Sequence, residues 1–230
     1  MFVSAIIPAA GSGRRFGSEI KKQFIEIDDK PVLYYTIRQF EACSRINEII
    51  IVVPDDWIEM VKRDVVEKYH LKRVTQVVVG GDERFESVHN GLKAVNPKTS
   101  LAAIHDGVRP IVSTGAIERV VAAGAETKAA ILGVPVKDTI KAVSDHLIDK
   151  TLDRSQLWAI QTPQVFDYDL IMKAYAQKNQ IRVPITDDAM LVEALGHPVK
   201  IVQGEYTNIK ITSPEDYDYA AFLLRQTATL

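Results

Sequence analysis

The segment Pro8-Ala9-Ala10-Gly11-Ser12-Gly13-Arg14-Arg15-Phe16-Gly17, followed by Lys21-Lys22-Gln23, has the makings of an anion site. Glycine lets the backbone approach a ligand closely and turns several N–H groups toward anionic oxygens. Arg14, Arg15, Lys21 and Lys22 add four positive charges within nine positions. That density suits a polyphosphate better than the single phosphate pair of a dinucleotide. Two familiar templates fail. A dinucleotide fingerprint wants its third glycine at position 16, which is Phe16, with Gly17 one residue late. No acidic residue closes the second strand at the expected separation of about 20 residues either. A Walker loop would end in Gly-Lys-Ser/Thr, and this one does not. The plainer alternative is a glycine turn flanked by solvated cations.

Other groups with chemical potential are scattered. Asp106 follows the apolar run Leu101 to His105, at a strand end where open α/β sheets bind ligands. It either works in a site or serves as a turn aspartate. Arg109 is either its ion-pair partner or a substrate contact. Arg84 either serves a site or pairs on the surface with Glu83 or Glu86. Asp167-Tyr168-Asp169 and Asp216-Tyr217-Asp218 have the DxD spacing of glycosyltransferases, but both open predicted helices, so cap and dipole roles account for them better. His70, His89, His105, His146 and His197 lack metal-ligand spacing. A single cysteine, Cys43, excludes an internal disulfide framework or a cysteine-rich zinc site.

The elements that must hold these groups follow from hydrophobic pattern. Phe2 to Ile7, Glu48 to Val53, Thr75 to Val79, Leu101 to His105 and Ala129 to Val136 read as buried strands. They are continuous rather than alternating in hydrophobicity, as a sheet covered on both faces requires. Pro31 to Phe40 places Leu33, Ile37 and Phe40 on one helical stripe, and Trp57 to Tyr69, Arg84 to Val95 and Gly115 to Gly124 are further helices. Alternation at these lengths predicts a mostly parallel α/β sheet. From Lys137 to Ile160 the chain turns polar, with scattered β-branched residues and Ser144-Asp145-His146 as turn chemistry, which reads as a β-arm leaving the sheet. Helices resume at Asp167 to Lys178 and Asp187 to Leu195, then a strand at Val199 to Val202 and an extended Asn208 to Thr212. Ser213 caps a last helix with Pro214 in its first turn.

Composition excludes whole classes of function. Of 230 residues, 47% are hydrophobic and 25% charged, which is globular rather than disordered or fibrous. Twenty-eight basic against thirty acidic residues leave a net charge of −2, so the footprint of a general nucleic-acid binder is missing. Apolar runs such as Ile49 to Val53 are too short to span a bilayer, and Pro8 interrupts the apolar start while the arginines follow it, unlike a secretory signal. The expectation is one cytoplasmic domain over 1–230, including the arm at about 137–160.

From Ile6 to Asp216 the chain resembles the cytidylyltransferases that activate 2-C-methyl-D-erythritol 4-phosphate in non-mevalonate isoprenoid synthesis. The first loop carries the resemblance together with Gly80-Gly81-Asp82-Glu83-Arg84, Ser87-Val88, His105-Asp106-Gly107-Val108-Arg109-Pro110 and Pro135-Val136-Lys137-Asp138-Thr139. Asp153-Arg154, Leu157-Trp158, Gln161-Thr162-Pro163-Gln164, Thr186-Asp187-Asp188-Ala189 and Asn208-Ile209-Lys210-Ile211-Thr212 complete it in the same order. Two positions depart from the pattern: Lys21 stands where proline is usual, and Gly107-Val108 replaces a commoner pair of alanines.

The resemblance implies a nucleotidyltransferase-type fold, a Rossmann-like sheet with helices on both faces and a projecting β-arm. It implies transfer of a cytidylyl group from CTP to a sugar-alcohol phosphate with release of pyrophosphate, supported by Mg²⁺. Arg15 and Lys22 match stabilisers of the transition state at the α-phosphate, and loop amides from Ala10 through Gly11 to Gly13 would hold the triphosphate. Gly81 and Ser87, with the backbone of Ala9 and Ala10, match a cytosine pocket. Asp106 would hold either Mg²⁺ or a substrate hydroxyl. Arg154 and Lys210 match residues that position the sugar phosphate, and Thr139, Thr162 and Thr186 offer hydroxyls nearby. A polar arm that cannot be core would find its partner in a second copy, giving a homodimer in which Arg154 reaches the neighbour's site. The rivals are a ribitol 5-phosphate cytidylyltransferase and a non-catalytic nucleotide-binding module.

Overall fold

The computed structural model of the chain describes residues 1–11, 22–178, 181 and 183–228. In chain order the strands are β1 (Phe2–Pro8), β2 (Glu26–Ile27), β3 (Lys30–Pro31), β4 (Glu48–Val53), β5 (Val74–Val79), β6 (Thr99–Ile104), β7 (Ala129–Pro135), β8 (Lys141–Ser144), β9 (Leu147–Thr151), β10 (Trp158–Asp167) and β11 (Lys200–Gln203). The helices are α1 (Val32–Ala42), α2 (Ile58–Val61), which continues into a π-helical stretch at Lys62–Glu67, α3 (Arg84–Lys93), α4 (Thr114–Thr127), α5 (Tyr168–Ala176), α6 (Ala189–Ala194) and α7 (Pro214–Ala228).

Seven strands form one sheet in the order β11-β7-β10-β6-β1-β4-β5. Every pairing in it is parallel except those of β10, which runs antiparallel to both β6 and β7. The mostly parallel α/β sheet expected from sequence is therefore present, with one inverted strand inserted near its centre.

Strand geometry explains why the buried runs are continuously apolar. Successive side chains point to opposite faces, so Val3, Ala5 and Ile7 of β1 pack with Leu33, Ile37 and Phe40 of α1 and Ile117, Val120 and Val121 of α4. Ile6 faces the other way, into a second core with Val88 and Leu92 of α3 and Ile171 and Tyr175 of α5. Helix α7 lies over a third cluster in which Ala220 and Ala221 meet Ile27, Val32, Val108 and Ile211. The edge strand β5 departs from expectation: it is only half-buried, and Val79 is exposed. Among the described residues its outer edge has no neighbouring strand, so apolar continuity there does not mean full burial.

The arm is a hairpin of β8 and β9. Asp145 and His146 form its two-residue loop with φ of 49° and 64°, the paired positive dihedrals that match the twist of a tight hairpin. Ser144-Asp145-His146 was expected to turn, and it does. The arm is shorter than 137–160 suggested. Trp158, Ala159 and Ile160 pair with Pro135, Val134 and Gly133 of β7 and belong to the central sheet. Val136 N–H, bonded to the Leu157 carbonyl at 3.0 Å, marks where the arm departs.

Candidate active site

The carboxyl ends of the parallel strands carry most of the expected site. After β6 the chain turns at His105-Asp106, and Asp106, almost fully buried, lines a cavity of about 280 Å³. Its Oδ1 lies 3.1 Å from Arg84 Nε, and its Oδ2 lies 2.8 Å from Lys210 Nζ and 3.5 Å from Arg109 Nε. Burial alone would raise the pKa of this carboxyl; the pull of Arg84, Lys210 and Arg109 overcomes burial and holds it far below the usual carboxylate range. Arg84 also pairs with Asp188 at 2.9 Å. With Arg84 so shared, Lys210 and Arg109 both face the single Asp106 carboxylate, while Asp187 adds a second carboxylate to the lining, so charges of both signs are set side by side in the cavity.

Three other elements fix these charges. Thr162, in β10, accepts the Asp106 N–H at 3.1 Å and meets His105 Nδ1 at 2.9 Å. Asn208 donates to the Thr162 carbonyl at 2.9 Å and presents its own carbonyl to Arg109 Nη1 at 2.7 Å. Two residues later Lys210 reaches the pocket, anchored by the buried Ile211, whose N–H bonds to the Val108 carbonyl at 2.9 Å. Thr186 lines the opposite wall, beside Asp187. Sequence reasoning thus placed Asp106, Arg109, Thr162, Thr186 and Lys210, and the structure brings all five to one cavity. Arg109 pairs with Asp106 while also lining the cavity, so the two readings of it are compatible.

A second group lies at the ends of β1, β4 and β5. Gln23 Nε2 donates to the Ala9 carbonyl at 2.5 Å and the Gly11 carbonyl at 3.3 Å, tying the start of the loop to the turn behind it. Gly81 N–H donates to Ser87 Oγ at 3.1 Å. A Cβ on Gly80 would fall 2.5 Å from the Ala10 Cβ and 2.8 Å from Ser87 Oγ, so only glycine admits this approach. Ala9 joins the two groups: a Cβ on Gly107, next to Asp106, would sit 3.1 Å from its Cβ. Ala9, Ala10, Gly11, Gly81 and Ser87 are thus neighbours along one sheet edge.

Not every candidate joins them. Gly13 and Arg15 lie outside the described residues. Lys22 begins a 3₁₀ turn, Lys22–Phe24. Thr139 and Arg154 lie on the exposed arm, where Arg154 Nη1 donates to the Lys137 carbonyl at 2.7 Å. Of the two readings of Arg84, the site and not the surface pair with Glu83 or Glu86 is the one formed: those two glutamates build the capping box of α3, and Arg84 turns inward to Asp106 and Asp188. Asp167 and Asp216 cap as expected, accepting from Leu170 N–H at 3.1 Å and from the N–H groups of Thr212 and Ser213 at 2.8 and 2.9 Å. Sequence reasoning missed Asp188, Gln164, Asn208 and Tyr175; the consecutive acids Asp187-Asp188 before an apolar helix were the available signal.

For a metal, Asp106 and Asp187 are the carboxylates lining the cavity. Among the described residues no group of three or more His, Cys, Asp or Glu converges on a metal-sized space. This donor set suits a divalent ion that draws most of its oxygens from phosphates and water, as Mg²⁺ does in phosphoryl-transfer sites.

Comparison with known proteins agrees with this layout over nearly the whole chain. The family model described as IspD, 2-C-methyl-D-erythritol 4-phosphate cytidylyltransferase, matches residues 3–226. A relative of that name from Alkaliphilus oremlandii is 46% identical over 96% of this chain and 94% of its own, and one from Syntrophotalea carbinolica is 47% identical over 97% of each. Among solved structures, the 4-diphosphocytidyl-2C-methyl-D-erythritol synthase of Anaerococcus prevotii superposes with a TM-score of 0.85 at 37% identity, covering 97% of this chain and 96% of that one. The Thermus thermophilus enzyme gives 0.80 at 32%, covering 98% and 100%. A match that spans every strand of the sheet and every block of the site leaves one assignment: the chain belongs to the 2-C-methyl-D-erythritol 4-phosphate cytidylyltransferase family.

Proposed function

We propose that the chain transfers the cytidylyl group of CTP to the phosphate of 2-C-methyl-D-erythritol 4-phosphate, releasing pyrophosphate. The convergence of Lys210, Arg109 and Arg84 on Asp106 beneath an anion-sized cavity is the observation that carries this reading. The acceptor phosphate oxygen attacks the α-phosphorus of CTP; the new P–O bond forms as the bond to the pyrophosphate oxygen breaks. A phosphate monoester with second pKa near ~6 is already ionised at neutral pH, so no side chain has to act as general base.

The chain's task is electrostatic. Lys210 and Arg109 offset the acceptor's charge so that two anions can meet, and Arg154 completes that set from the arm of a second copy. Arg15 and Lys22 face charge that grows on the α-phosphate, and the amides from Ala10 to Gly13 cradle the triphosphate. Gly81, Ser87 and the backbone at Ala9 and Ala10 read the cytosine edge by hydrogen bonds. Thr139, Thr162 and Thr186 supply hydroxyls to the acceptor. Asp106 would hold either Mg²⁺ or a substrate hydroxyl; Mg²⁺, when bound, would shield charge on the phosphates and the leaving group. The working form is a cytoplasmic homodimer joined through β8 and β9, whose Val143, Leu147 and Ile148 are exposed. A lone two-stranded ribbon is marginal in water, which supports pairing.

Coupled pyrophosphate release, with four nucleotides crossed against two sugar phosphates, tests the assignment. We expect Mg²⁺-dependent turnover with CTP and methylerythritol phosphate; equal or better turnover with ribitol 5-phosphate would overturn the acceptor. Arg15→Ala and Lys22→Ala should lower kcat on the order of 10²-fold or more. Lys210→Ala should instead raise the KM for the sugar phosphate; an unchanged response to its concentration places Lys210 outside the site.

A further inference from the structure

The two walls of the cavity come from distant parts of the chain. One is the turn at Asp106; the other is Thr186-Asp187, leading into α6. Arg84, the first residue of α3, spans them, with Nε 3.1 Å from Asp106 Oδ1 and Nη2 2.9 Å from Asp188 Oδ2. Asp188 is 1% exposed and never faces the cavity. Its Oδ1 accepts from the Tyr175 hydroxyl at 2.6 Å, and Tyr175 is itself 1% exposed. Gln164 Oε1 accepts the N–H groups of Asp188 and Ala189 at 3.1 and 3.0 Å, while its Nε2 donates to Asp187 Oδ2 at 2.8 Å.

The reaction derived above uses neither Asp188 nor Tyr175. Apolar residues fill such a space at least as stably as a buried ion pair does, because taking charges out of water is costly. What the ionic arrangement adds is geometry. A guanidinium is a planar fork, so an ion pair with Asp188 on one side, close but without the alignment of a hydrogen bond, and a hydrogen bond to Asp106 on the other limit how its N–H groups can turn. A lysine would pivot.

We propose that Tyr175, Asp188 and Arg84 form a strut that holds Asp106 and the Thr186-Asp187 wall at the spacing the acceptor needs, making Tyr175 and Asp188 positioning residues for the sugar phosphate and not for the nucleotide. The strut rests on the reading of this cavity as the sugar-phosphate site. The nucleotide group around Ala10, Gly81 and Ser87 is held by separate hydrogen bonds.

Tyr175→Phe removes one oxygen and keeps the ring, which stacks on His89 with centroids 5.2 Å apart. In variants shown by circular dichroism to be folded at the assay temperature, the KM for methylerythritol phosphate should rise about 5-fold, with the KM for CTP within about 2-fold of wild type. Asp188→Asn keeps shape but drops the charge that clamps Arg84 and should show the same split, so the test survives if Tyr175→Phe does not fold. Arg84→Lys keeps charge without the fork and should cost about 10-fold or more in acceptor KM. Because the same strut is cut, adding Tyr175→Phe to Arg84→Lys should cost nothing further, whereas a purely structural lesion would add. With the wild type active, unchanged KM values, equal changes in both, or additive effects in the double variant overturn the strut alone. No wild-type turnover with CTP and methylerythritol phosphate overturns the reading of the cavity, and the strut with it.

Discussion

The Thr162 hydroxyl stands between two groups that use it in opposite senses. It accepts the Asp106 N–H and so has its own proton to give to His105 Nδ1. On the other side of the ring, Nε2 meets the Arg109 carbonyl at 3.1 Å, which can only accept. The hydrogen bonding therefore assigns a neutral imidazole with its proton on Nε2. Protonating Nδ1 would leave two N–H groups pointing at Thr162 and its hydroxyl proton without a taker. Burial pushes the His105 pKa down to about 4, the nearby Asp106 charge opposing and Arg109 adding to it. The folded state thus binds fewer protons than the unfolded chain between about pH 6.5 and 4, and stability falls as the pH drops through that window. The loss reaches about 2 kcal/mol at pH 5, or about 4–8 °C in thermal midpoint for a chain of this size. Scanning calorimetry from pH 7 to 5 should record it. His105→Gln should start lower and lose that slope. Asp106 acts in the same direction but further into acid: as the pH falls through the ordinary carboxylate range the unfolded carboxyl takes up its proton while the folded one does not, and its contribution is lost progressively from there down.

Helix α3 carries Arg84 and Ser87 and reaches the sheet through Gly91. A Cβ there would fall 2.5 Å from Ile6 Cγ2 and 2.9 Å from Val52 Cγ2, both in fully buried side chains of adjacent strands. Gly91→Ala should cost about 1–3 kcal/mol through overpacking. Gly115→Ala in α4 meets the tip of Arg119 at 3.5 Å and Ser113 Oγ at 3.9 Å, both ordinary contacts, and should be neutral or stabilising by up to about 1 kcal/mol; paired thermal melts check the contrast. The parallel strands, the α1 stripe and the caps at Asp167 and Ser213 were legible because each depends on local pattern alone. Strand β10 was not, because Gln161-Thr162-Pro163-Gln164 reads as turn chemistry and proline argues against a central strand. Here the β7 ladder skips from Ile160 to Gln164, so Pro163 breaks no pairing on that side. The choice for Arg84 stayed open for a related reason: sequence offers its near neighbours Glu83 and Glu86 beside a role in the site, and the partners that decide it lie 22 and more residues away across the fold. Of the site, Asp106, Arg109, Thr162, Thr186 and Lys210, which line the cavity, were legible, whereas Gln164, Asp188 and Asn208, which stand in the same motif blocks, were not, because their part is to tie one block to another.

At the scale of the assembly, one described chain presents Lys210 and Asp106 in the cavity while Arg154 stays out on the arm. If each site takes Lys22 from one copy and Arg154 from the other, Lys22→Ala and Arg154→Ala proteins should each be nearly dead alone. Refolded together in equal amounts, half the dimers are mixed, and each mixed dimer has one intact site and one carrying both lesions. Activity should return to about a quarter of wild type; mixed dimers that form but stay inactive rule out the shared site. The inverted strand β10 has a further consequence, for how the chain is made. Strands β1, β4, β5 and β6 can pair once Ile104 has been synthesised, but β6 keeps an open edge, and β7 has no link to them, until Trp158–Asp167 follows. At ordinary translation speeds that edge is bare for on the order of 5 s. A half-built sheet with an apolar strand at its margin is a template for wrong pairing, so the emerging chain passes through an interval in which a chaperone, or a neighbouring nascent chain, has first claim on the seat reserved for β10.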